Sequence, residues 1–223
     1  MIKKLNLYDI IDIGCDNVFE QIINELENSK IDSDYTIIKG NVPILFSASH
    51  TMHQLRDDGT TKLKEPYTKA IALYLNKYCK TYAIVKNNDI GTDSNRDNYD
   101  EYNVEMRRLI RNNNIKLVID LHGASKNRNF DIEFGTLNNL SADYSTIKEL
   151  EDSFIKNGIV NICHNNPFKG GAITQGIYAL DDVDVIQLEI NGKYRDYNNL
   201  ELLQKLVESL ENFVRQYNEY INR

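Results

Sequence analysis

Punctuation is scarce in this sequence: proline occurs 3 times and glycine 11 times in 223 residues. No Gly-, Ser- or Pro-rich stretch sets one half apart from the other, so a single domain over residues 1–223 is expected, within reach of the roughly 100–200 residues usual for one. A run approaching the roughly 18 apolar residues of a membrane span is also lacking. Cysteine is limited to Cys15, Cys79 and Cys163. None forms a C-x-x-C pair, which argues against a disulfide framework and against a thiolate zinc knuckle. With no apolar stretch behind Lys3 and Lys4, the expectation is a cytoplasmic chain with free thiols. Positive charge is in deficit, 26 Lys+Arg against 33 Asp+Glu, for a net charge of −7. Such a surface is a poor binder of phosphate backbones, so nucleic acid is not an expected partner, and without a long apolar run a membrane is not one either. Phosphate-loop and dinucleotide glycine patterns are missing, as is a Gly-x-Ser-x-Gly nucleophile elbow. A chain of this length stabilises itself without a structural metal, so a metal bound here points to catalysis.

What the sequence does hold is alternation. Short β-branched runs predict strands at 35–38, 44–48, 82–85, 117–121, 130–134 and 185–190, several of them apolar on both faces. Longer segments at 18–29, 66–78, 99–112, 145–157 and 199–222 predict helices. The last carries one stripe through Leu200, Leu203, Leu206, Val207, Leu210 and Phe213. This order predicts an α/β fold, a three-layer α/β/α sandwich on a mostly parallel mixed sheet, with any site at the carboxyl ends of the strands. Residues 1–40 carry no motif that assigns them a role, and no patch of the 14 tyrosines fixes an oligomeric state.

Three of the four histidines follow predicted strands. His50-Thr51-Met52-His53 leaves the second strand, and His122 leaves the run Leu117–Leu121. His50 and His53 are close enough to chelate one ion, and His122 from a neighbouring strand end completes three ligands with a fourth position open. Asp120 is a candidate acceptor for an imidazole. His164 has no partner at ligand spacing and reads as a loop histidine.

Glu189 lies inside the apolar run 185–190, where an unpaired carboxylate is costly. At the open end of the strand it becomes a candidate acid–base. Arg128 and Asn129 follow His122, and Arg56 follows His53. Either guanidinium suits a substrate carboxylate, although lone arginines are commonly solvated. The loop 165–171, with Lys169, Gly170 and Gly171, suits an unusual backbone path beside a ligand, ahead of a further strand.

These pieces resemble, in order, the motifs of the N-formylglutamate amidohydrolase family. They are Ser49-His50 with Arg56, Lys62, Lys64 and Glu65-Pro66-Tyr67-Thr68, then Val118–Gly123, then Asn166–Gly171, then Ile186–Asn191. The resemblance implies a zinc-carboxypeptidase-like (phosphorylase/hydrolase) fold and one Zn²⁺ per chain on His50, His53 and His122. It implies Glu189 as acid–base and Arg128 near the substrate or its carbonyl. The family often has Glu where this chain has His53, which leaves Glu65 as an alternative ligand. The implied substrate is a small N-acyl amino acid or a short peptide.

Overall fold

The computed structural model describes residues 15–30, 32–89, 91–180 and 182–221. Of residues 1–40, positions 1–14 and 31 therefore lie outside the described set, as does the side chain of Cys15. The helices are α1 (Cys15–Glu27), α2 (Thr68–Cys79), α3 (Glu101–Asn113), α4 (Tyr144–Lys156), α5 (Ala172–Tyr178) and α6 (Leu200–Ile221). The sheet strands are β1 (Tyr35–Ile38), β2 (Val42–Ala48), β5 (Thr81–Lys86), β6 (Leu117–Ala124), β7 (Ile132–Gly135), β8 (Ile162–His164) and β9 (Asp184–Asn191). A small hairpin of β3 (Gln54–Leu55) and β4 (Thr61–Lys62) stands apart.

The seven strands run in the order β1-β5-β2-β6-β9-β7-β8. The central four, β5, β2, β6 and β9, are mutually parallel, while β1 and β7 pair antiparallel with β5 and β9. Helices cover both faces. One core joins Phe46, Ile119, Leu121, Leu188 and Ile190 to side chains of α1, α2, α4 and α6, such as Ile71, Phe154 and Leu206. The other joins Leu45, Val118 and Val185 to Tyr102 and Met106 of α3 and to Ile173 and Ile177 of α5. The three-layer sandwich expected from alternation is the fold observed.

Side chains of a strand alternate between faces, and here the two faces are composed differently. The face under α2 and α6 is apolar to the end of each central strand. The face under α3 and α5 begins apolar, with Leu45, Val118 and Val185 in register, and then turns polar. Ser47, Asp120 and Gln187 form the next row, and His122 and Glu189 the one after. Burial on one face thus fixes the register, and register carries the polar rows to the carboxyl ends of the parallel strands.

Several sequence expectations are corrected. Helix α2 begins at Thr68, because Tyr67 takes a left-handed conformation (φ 66°) that cannot continue a helix back to Pro66. The fifth strand starts at Ile132, two residues after Phe130. The 165–171 loop leads into helix α5 and not into a strand. His164 closes the short strand β8, with its Nε2 3.4 Å from Glu151.

Lys86 at the end of β5 is wholly buried, and burial pushes its ammonium pKa down. It donates to the Thr92 carbonyl at 2.7 Å and to Ser94 Oγ at 3.0 Å, and lies 3.8 Å from Asp100 Oδ2. Asp100 also caps α3, accepting the Asn103 N–H at 2.9 Å. Removing that carboxylate strips the cap and leaves a buried cation uncompensated. Asp100→Ala is therefore expected to cost about 3–5 kcal/mol in urea unfolding, well above a cap's usual ~1 kcal/mol. A loss of only the cap's worth would show that the ion pair contributes nothing.

Candidate active site

Each central strand delivers one part of a buried cluster. His50 lies two residues past β2, His122 on β6 and Glu189 on β9, while Asp93 comes from the loop after β5 and Glu65 from the segment before α2. The connection after β2 runs to α2 on one face, and the next crossover carries α3 over the other. Crevices form where such connections part.

His50 Nε2 lies 2.8 Å from Asp93 Oδ1, and His122 Nε2 lies 2.7 Å from Asp120 Oδ2. An ionised carboxylate only accepts, so each Nε2 carries a proton, and an imidazole in its metal-binding form has its lone pair on Nδ1. Those two Nδ1 atoms face each other at 3.1 Å. Glu65 reaches both, with Oε1 3.2 Å from His50 Nδ1 and Oε2 3.4 Å from His122 Nδ1. The three groups offer ligand atoms within 4.8 Å of one another. Glu65 Oε2 is buried without a hydrogen-bond partner. Two lone pairs and a carboxylate converging in a buried space repel unless a cation lies between them. The donor set, two imidazole nitrogens and one carboxylate oxygen, fits a zinc ion with an open position.

The surroundings hold this arrangement in place. Ser47 Oγ donates to Asp120 Oδ1 at 2.7 Å, and the fully buried Tyr102 hydroxyl, 2.9 Å from Ser47 Oγ, donates to the Ile84 carbonyl at 3.0 Å. Arg56 Nε donates to Asp93 Oδ2 at 2.8 Å, and Lys62 Nζ donates to Glu65 Oε1. Burial pushes the Glu65 carboxyl up, but the facing histidines outweigh it and hold its pKa well below the ordinary range. Burial likewise pushes the His122 imidazole down, and Asp120, then Glu65, raise it well above its ordinary value. Both shifts express the same demand of the cluster for positive charge.

Glu189 is 5 % exposed and sits beside His122 in register. Burial raises its pKa, His122 opposes that, and Glu65 adds to it. Its Oε1 accepts from Gln187 Nε2 at 2.8 Å, and Gln187 Oε1 accepts the Gly171 N–H at 2.7 Å. Gly171 itself packs so close to Asn95 that a Cβ would lie 2.0 Å from the Asn95 Oδ1. The glycine of the 165–171 loop therefore serves Gln187, and through it Glu189.

A cleft of about 360 Å³ opens over the cluster, lined by His50, Glu65, Asp93, His122 and Glu189 and by Arg96, Arg128 and Phe168, among others. Arg128 is exposed on the wall with its guanidinium 5.1 Å from the Phe168 ring centroid. Arg56 lines the cleft with its Nε committed to Asp93. Asn129 and Lys169 are exposed and lie outside the lining, and Gly170 (φ 110°) supports the loop without reaching it. His53 does not join the cluster. It is exposed, and its Nδ1 accepts the Lys64 N–H at 3.2 Å. After Thr51 the chain turns into the β3–β4 hairpin, which carries His53 outward and brings Glu65 back beneath His50, where its N–H donates to the His50 carbonyl at 2.8 Å. Among the described residues, the group placed to hold a metal is therefore His50, Glu65 and His122, with Glu65, the alternative ligand named from the sequence, in the place expected of His53.

Residues 87–194 match the family model described as N-formylglutamate amidohydrolase. This match agrees with the family resemblance read from the sequence. The matched segment holds Asp93, His122, Arg128, Gln187 and Glu189, while His50 and Glu65 precede it. No curated protein matches the sequence. Among solved structures, an N-formylglutamate amidohydrolase from Ralstonia eutropha JMP134 aligns with TM-score 0.60 and 13% identity, over 85% of this chain and 98% of that one. A bacteriophage poly-gamma-glutamate hydrolase aligns with TM-score 0.57 and 14% identity, over 90% and 96%. A gene product of Agrobacterium tumefaciens gives TM-score 0.57 and 14% identity, over 89% and 98%. At such identities these likenesses establish the fold.

Proposed function

We propose that this chain is a zinc-dependent amidohydrolase that cleaves the N-acyl amide of a small, carboxylate-bearing amino acid. The observation that carries the reading is the pair of Nδ1 atoms 3.1 Å apart over a buried Glu65, with Glu189 alongside. His50, Glu65 and His122 would hold the metal. Zinc bound there supplies Lewis acidity, which makes water acidic and polarises an amide carbonyl. Asp93 and Asp120 keep both imidazoles in the binding tautomer. Glu189, with Oε1 held by Gln187, takes the water proton at Oε2 and passes it to the departing nitrogen. Arg128 on the cleft wall meets the substrate carboxylate, and Arg56, through its Nε, steadies Asp93. No helix among the described residues is long and apolar enough to cross a membrane. Cys79 and Cys163 are free thiols, which suit a reducing compartment such as the cytoplasm.

The test is the zinc content of protein purified without chelator, followed by assay against N-formyl and N-acetyl amino acids and short peptides. Close to one zinc per chain with hydrolysis of an N-acyl amino acid supports the reading. Zinc with cleavage of peptides alone would make it a peptidase, and zinc without any hydrolysis a metal-binding protein. His53→Ala is expected to keep its full zinc content and turnover. Loss of zinc in that variant would return His53 to the ligand set.

A further inference from the structure

We propose that Arg195 is the positioning residue that holds the metal-binding geometry together, an inference resting on the zinc reading above. Arg195 belongs to the short 3₁₀ turn Gly192–Arg195 that follows β9. It is 8 % exposed, unusual for an arginine, and no carboxylate among the described residues pairs with it directly. Its guanidinium instead donates to three main-chain carbonyls. Nε donates to Ile190 at 3.1 Å, Nη1 to Pro66 at 2.9 Å and Nη2 to Ala124 at 3.0 Å. Ile190 follows Glu189, Pro66 follows Glu65, and Ala124 stands two residues past His122. One planar fork therefore ties together the three segments that bring the acid–base and two of the three metal-binding side chains.

The geometry explains why a fork is needed. β6 and β9 are adjacent strands that hold each other by their own ladder, but the Glu65 segment belongs to neither. It is tethered locally by the Glu65 N–H on the His50 carbonyl and by Lys64 to His53 and Glu27, and Arg195 supplies a link to the other two strands. Guanidinium donors point in fixed in-plane directions, so three carbonyls fix the fork and the fork fixes their separation. The sequence makes room for it at Gly123, where a Cβ would lie 2.4 Å from the Arg195 Cζ. The glycine after His122 is thus the floor on which the guanidinium rests. Burial pushes the Arg195 pKa down, with Glu65 and Glu189 opposing, so its charge also faces the carboxylates it helps to place.

The experiment measures zinc affinity by competition with a chromophoric chelator, well below the unfolding temperature, for wild type, Arg195→Lys and Arg195→Gln. Folding is checked by far-UV circular dichroism. Folded Arg195→Lys, which keeps the charge but not the planar fork, is expected to bind zinc roughly 10–100-fold more weakly, as for other outer partners of a metal site. Its kcat on the best substrate should fall while KM stays near wild type. Affinity within twofold of wild type in the folded Lys and Gln variants would overturn the positioning role and leave the zinc reading intact. A wild type that binds no zinc would overturn the reading beneath it. Should both Arg195 variants fail to fold, Gly123→Ala asks the same question, since its Cβ displaces the guanidinium while Arg195 remains. Unaltered zinc affinity in that folded variant would overturn the proposal, and weakened affinity would support it.

Discussion

Protein carrying His122→Ala is expected to retain almost no zinc and to lose the thermal stabilisation that zinc confers on the wild type. The substitution removes one of only three donors and also abandons Asp120, a wholly buried carboxylate whose Oδ2 then faces a cavity. The loss should exceed the roughly 10–100-fold that follows removal of an outer partner of a metal site. A ligand held only by the folded state stabilises by RT ln(1 + [L]/Kd), about 2.7 kcal/mol at one hundred times Kd. Wild type at such a zinc excess should therefore unfold at a clearly higher temperature than the same protein in chelator. The variant should unfold at one temperature in both. The apo variant is also expected to be no less soluble, since His122 is 1 % exposed and leaves the surface unchanged. A variant that kept both its zinc and its zinc-dependent shift would show that the cluster is not the metal site.

The strand ends that build this site were legible because burial writes itself into composition. Continuous apolar runs at 44–48, 117–121 and 185–190 announced strands covered on both faces, and each run was interrupted or ended by a polar residue of the site. His122 and Glu189 stood out because a charged or ligating group buried at the end of such a run calls for a partner or a task. Glu65 was harder. It enters through a hairpin whose strands are two residues each, too short to leave a periodic trace, and its approach to His50 is a matter of loop path. His53 lies apart from the cluster for the same reason, since a three-residue spacing brings side chains together only where the chain continues as a helix or regular turn. Asp93 had no local signal at all. Its place depends on the Lys86 network that folds the 87–100 loop over His50, and that network joins residues 54, 86, 92, 94 and 100. Arg195 was similarly hidden, because its partners are main-chain carbonyls, which every residue has.

Glu189→Gln provides the sharpest separation of chemistry from metal binding. The side chains are nearly the same size, and Gln187 can re-form its hydrogen bond to the new amide oxygen, so the fold and the zinc content should be those of the wild type. What disappears is a group able to take a proton, and turnover is expected to fall by about 10²–10⁴-fold. The pH profile gives a second, independent readout. A general base works in its ionised form, so wild-type kcat/KM should fall as pH drops through the Glu189 pKa. Burial lifts that carboxyl, Glu65 adds to the lift, and His122 opposes it. These contacts raise the carboxyl in the zinc-free protein, while a zinc ion bound beside it favours the ionised form and moves the limb toward lower pH. The Gln variant, having nothing to titrate there, should lose that limb along with most of its rate. If the variant instead turned over at the wild-type rate with the limb intact, the proton would have to move through another group. Glu133, the wholly buried carboxylate opposite Glu189 across β7 and β9, would be the next residue to substitute.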